Sequence, residues 1–133
     1  MSNKQKHLDF IQRVITRMNS NSFAIKGWTV ALISALFALS AKDADESYAL
    51  VAYIPLIMFW ILDAFFLSQE KKFRSLYDFV RYLDDDKIDF AMSTKTYDIA
   101  ENSWCATVFS RTLILFYGFL FVVTLIVMFL ITQ

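Results

Sequence analysis

The chain has 133 residues, 57% of them hydrophobic and 17% aromatic, and its 13 Lys/Arg balance 13 Asp/Glu to a formal charge of zero. One compact unit of that length cannot bury so large an apolar excess, so a soluble globular fold and a multidomain enzyme are both excluded as expectations. The balanced charge provides no basic field for nucleic acid. The single cysteine (Cys105) and single histidine (His7) leave no disulfide framework, cysteine-based zinc site or multi-histidine cluster. A mean hydropathy of +0.45 points to a membrane protein.

Residues 1–22 read as an amphipathic helix on the cytoplasmic side. Leu8, Ile11, Val14, Ile15 and Met18 recur at helical spacing, with Lys4, Lys6, Arg13 and Arg17 between them. Such a helix either lies on an anionic membrane surface or packs against another helix. Asn19-Ser20-Asn21-Ser22 interrupts the apolar pattern and supplies N-cap chemistry for a new helix.

Residues 23–41 form the first apolar span, just long enough for a bilayer core of about 30 Å. A secretory signal peptide is the rival reading. Against it stand a polar segment of 22 residues in front and an apolar run longer than the usual ~7–15. The acidic connector 42–47 is short, so the second span, 48–68, must return antiparallel. Pro55 near the middle of that span predicts a kink.

From Gln69 the charge density rises while helical spacing continues through Phe73, Leu76, Tyr77, Val80 and Leu83. The second span is therefore expected to run on into a cytoplasmic helix. Asp84-Asp85-Asp86 should end it, and Ser93-Thr94-Lys95-Thr96 reads as a turn or loop. Residues 112–131 carry no charge and form the strongest predicted span. The fold expectation is one all-α integral membrane domain: three transmembrane helices, an N-terminal amphipathic helix and a cytoplasmic region, 69–111. Basic residues concentrate before the first span and between 69 and 111, which predicts a cytoplasmic N-terminus in a multi-pass inner-membrane protein.

Within the spans, Asp63 stands out because intramembrane carboxylates are rare and usually partnered. Folding the hairpin about its connector brings Lys26 to nearly the same depth, so a Lys26–Asp63 pair is expected. The alternatives are that Asp63 snorkels to the interface or simply anchors the hairpin. Ala31, Ser34, Ala35 and Ala38 make one side of the first span small, suited either to close packing inside the hairpin or to lining a pore. Trp28, Tyr48, Tyr53, Trp60, Trp104 and Tyr117 read as an interfacial belt. Arg74 and Arg81 on the cytoplasmic helix are candidate partner contacts. No nucleophile, metal-ligand or phosphate-loop pattern occurs, so no enzyme and no cofactor are expected.

Residues 8–83 resemble small bacterial membrane proteins of the SLATT type. The resemblance rests on Asn21-Ser22, Lys26-Gly27-Trp28, Phe59-Trp60-x-Leu62-Asp63, Gln69-Glu70 and Phe73-Arg74. It implies an N-terminal helix, a two-span hairpin and a cytoplasmic helix, in effectors of bacterial conflict and antiphage systems switched on by a separate sensor. The third span departs from that two-span pattern. The leading expectation is an oligomeric inner-membrane effector that forms pores or depolarises the membrane. A non-conducting scaffold that recruits a cytoplasmic partner is the alternative, and a small transporter subunit ranks third.

Overall fold

The computed structural model describes residues 2–43, 45, 47–98 and 102–132. Ala44 and Glu46 of the connector, and Gln133, lie outside the described residues. The elements are α1 (Asn3–Asp43), α2 (Ser47–Val51), α3 (Tyr53–Val80), two single 3-10 turns (Asp85–Lys87 and Lys95–Tyr97), α4 (Trp104–Val108) and α5 (Arg111–Thr132). No strand occurs among the described residues. Three helices are long and apolar enough to cross a membrane: α1, α2 with α3, and α5.

The largest departure from the sequence expectation is α1. The predicted amphipathic helix 1–22 and first span 23–41 are one uninterrupted helix of 41 residues, about 60 Å long. The break expected at residues 19–22 does not occur, because two of the polar side chains there have partners on α3. Asn19 Nδ2 donates to Glu70 Oε1 at 3.1 Å, and the Ser22 hydroxyl donates to Asp63. Groups satisfied by a neighbouring helix no longer compete for their own backbone. Of the two options for the N-terminal stretch, α1 takes the second and packs against α3.

Pro55 also acts differently from the expected mid-span kink. The helical path from Ser47 is interrupted by a turn at Ala52, which leaves Pro55 in the first turn of α3. Proline has no N–H for the carbonyl four residues back, that of Val51, and the interruption falls at that point.

Two apolar cores divide the length of the bundle. One joins all three apolar helices through Ile33, Ala52, Leu56, Ala64, Leu113 and Tyr117. The other lies in a stalk where the first half of α1 runs against the last half of α3, around Ile11, Ile15, Leu76 and Val80. The stalk core is closed by Ile88, Met92 and Tyr97, carried on residues 84–98. That strap crosses the tip of the stalk, where the Lys4 N–H donates to Asp85 Oδ1 at 2.9 Å. Farther along the chain, the Asn102 carbonyl accepts from the Ser68 hydroxyl at 2.6 Å. Helix α3 ends at Val80, short of the aspartate run, and Ser93 and Thr94 lead irregularly into the second 3-10 turn, which Thr94 directly precedes. Short α4 is capped by the Ser103 hydroxyl, which accepts from the Ala106 N–H at 3.2 Å, and leads into α5.

Candidate functional site

A polar cluster sits where α1, α3 and α5 meet. Asp63 is fully buried on α3, and its carboxylate receives donors from both other helices. Lys26 Nζ lies 2.6 Å from Asp63 Oδ2 and also donates to the Ser22 hydroxyl at 2.8 Å. Ser22 in turn donates to Asp63 Oδ1. From α5, the Tyr117 hydroxyl donates to Asp63 Oδ2 at 2.8 Å. The carboxylate thus accepts three donors and is neutralised by one ammonium, the condition under which a buried charge is tolerated.

Helical spacing assembles this cluster. Ser22 and Lys26 lie four residues apart and so share one face of α1. Trp60 stacks on Tyr117 with ring centroids 5.7 Å apart and planes within 5°, and donates its indole N–H to the Val108 carbonyl at 2.9 Å. Phe116 places its ring 5.9 Å from Lys26 Nζ. Trp60 and Tyr117, expected in an interfacial belt, therefore belong to the cluster, and Tyr117 is fully buried. Trp28 and Trp104 are exposed, and Trp104 donates to the Ile61 carbonyl.

Sequence reasoning named Lys26 and Asp63 but missed Ser22 and Tyr117. A signal for Tyr117 was present. It lies six residues inside α5, and Asp63 lies at a similar distance from the C-terminal end of its predicted span, so the two hydrogen-bond at one level. Thr29 is also buried, and gives its hydroxyl to the Ile25 carbonyl of its own helix at 2.7 Å.

Ala31, Ser34, Ala35 and Ala38 do not pack inside the hairpin. All four are exposed on the face of α1 opposite the cluster. Ala31, Ser34 and Ala38 extend into a longer seam of exposed small residues: Ser20, Ala24, Gly27, Ala31, Ser34, Ala38 and Ala41. The steps along it alternate four and three, and a Cβ built on Gly27 would meet nothing within 4 Å. That alternation is the 3.5-residue repeat of left-handed helix pairing. It is visible in the sequence, but only the burial pattern shows that the whole row is exposed.

The two arginines of the stalk differ. Arg74 holds the buried Glu70 carboxylate at 2.8 Å, so it is part of the stalk although its side chain is 60% exposed. Arg81 is exposed, lies 3.9 Å from Asp78, and donates to the Tyr82 hydroxyl at 2.6 Å. Lys72, buried on the same helix, pairs with Asp98 at 3.1 Å and ties the strap's far end to the stalk. Compared with protein-family models, with curated proteins and with solved structures, the chain finds no match in any of the three.

Proposed function

We propose that the chain is a non-enzymatic, homo-oligomeric effector of the bacterial inner membrane. In this reading its protomers pack through the small-residue seam of α1 to perturb or permeate the bilayer. The observation that carries the reading is the exposed seam from Ser20 to Ala41. Between helices in lipid the hydrophobic effect supplies no attraction, so association depends on close backbone approach, which small residues permit. Three helices cannot enclose a channel alone, and the Lys26–Asp63 pair is consumed inside the protomer. Any conducting path therefore runs between copies, past Ser34 and its neighbours, and the charge pair serves to hold each protomer together. The N-terminus and the stalk lie in the cytoplasm, where a sensor or activator protein reaches them.

The test is membrane potential in cells expressing the protein alone and together with its neighbouring genes, combined with mass measurement in nanodiscs. Depolarisation by an oligomer is the expected result. A monomer under every condition, or unchanged potential throughout, refutes the reading. The scaffold alternative is favoured by one observation: exposed Tyr82 and Arg81 at the stalk tip suit protein contact more than lipid contact. It predicts partner binding that depends on Arg81 with no change in potential.

A further inference from the structure

The strap over the stalk tip is held at a cost on both sides of its main attachment point. His7 is 1% exposed, and its Nε2 donates to the Ala91 carbonyl at 2.9 Å, since a carbonyl can only accept. Its Nδ1 is buried with no hydrogen-bond partner. An orphaned buried polar atom loses its hydration without compensation. On the strap, Phe90 has a φ of 58°, a left-handed conformation that disfavours a bulky side chain. Phe90 directly precedes Ala91 and packs its ring against His7 and Phe10.

Packing beneath the strap is also incomplete. A cleft lies there between Leu76, Phe79 and Val80 of α3, Leu83 just beyond its end, and the strap's Lys87, Asp89 and Tyr97. The strap carries only two single 3-10 turns, so few backbone hydrogen bonds resist its movement. Few backbone bonds and loose packing mark the low-stability end of a structure, which opens before the rest.

We infer that residues 84–98 are a releasable clasp. It opens while the α1–α3 stalk stays folded, and its release exposes the face of α3 around Leu76 and Val80 that the closed state covers. The regulatory part of this inference rests on the effector reading above, whereas the clasp itself does not.

The test uses the full chain in nanodiscs, with Cys105→Ser removing the native thiol and Val80→Cys placing a reporter under the strap, where Val80 is 1% exposed. A water-soluble maleimide then reads opening. Phe90→Ala and Phe90→Gly both delete the ring, but only glycine relieves the left-handed backbone. Labelling is expected to be about 5- to 30-fold slower with Phe90→Gly than with Phe90→Ala. Hydrogen exchange at residues 11–15 and 72–76, which reports opening of the whole stalk, should be the same in both.

Equal labelling rates, or labelling that merely tracks exchange of the stalk helices, would overturn the clasp. Slower labelling in Phe90→Gly with equal depolarisation by both variants would overturn its regulatory role. Absence of depolarisation in every variant removes the effector reading and leaves labelling to decide the clasp.

Discussion

Asp63→Asn is the most informative perturbation of the cluster. It keeps the shape of the side chain and an acceptor for Ser22 or Tyr117, but leaves the Lys26 ammonium without its counter-charge. Removing one partner of a buried ion pair costs about 3–5 kcal/mol in soluble proteins. Lys26 retains 20% side-chain exposure, and a stem that can turn toward the headgroups lowers the expected loss to about 2 kcal/mol, roughly a thirty-fold shift in the folding equilibrium. Tyr117→Phe removes one hydrogen bond and keeps the ion pair, and interhelical polar contacts in membranes are worth about 0.6–1.7 kcal/mol. Asparagine at 63 should therefore destabilise more than phenylalanine at 117. Adding Lys26→Met to Asp63→Asn should recover part of the loss, because no unpaired charge remains. The assay is reversible unfolding in micelles followed by tryptophan fluorescence, with Trp60 reporting directly on α5 through its stacking on Tyr117. Equal effects of the two single changes, or no recovery in the double variant, would refute the view that charge neutralisation fastens the three helices.

On the scaffold reading, Arg81→Glu should abolish binding of a cytoplasmic partner while leaving melting within about 0.5 kcal/mol of wild type, as surface changes usually do. Arg74→Glu should instead unfold the stalk, seen by circular dichroism, because it sets a second carboxylate beside buried Glu70. Ala31→Leu should shift nanodisc mass from oligomer to monomer without altering protomer melting, since Ala31 touches no core; an unchanged oligomer would remove the seam as the interface. In the connector, the Ser47 backbone N–H, 2.9 Å from Asp45 Oδ1, and then the Ser47 hydroxyl hold the Asp45 carboxyl below its ordinary value. Its contribution is present above the ordinary carboxylate range, about 3.9, and is lost as pH falls through the lowered value. Carbon-detected NMR titration should show that low midpoint, and Ser47→Pro, which removes the N–H, should raise it.

Loss of function in Asp63→Asn does not distinguish conduction from anchoring, because Asp63 has no exposed surface and fastens three helices. Loss of function in Arg74→Glu does not distinguish partner binding from stalk folding. Arg81 and Ala31, both exposed, separate the readings.

The sequence by itself determined the three apolar helices, the short return between the first two, the extension of the second beyond its span, and the Lys26–Asp63 match. Each follows from a local quantity: run length, connector length, helical period, or distance counted from a turn. Tertiary structure alone decided the continuity of α1, the closing of the stalk by the strap, and the joining of α5 to the hairpin through Tyr117. The physical reason is the same in each case. Asn19, Ser22 and Tyr117 carry groups that could have served a helix cap, the solvent or an interfacial belt, and their role was fixed by the partner that packing placed within hydrogen-bond reach. The seam lies between these two cases. Its spacing is written in the sequence, but a row of small residues packs inward or faces outward according to which side of the helix the neighbouring helices occupy.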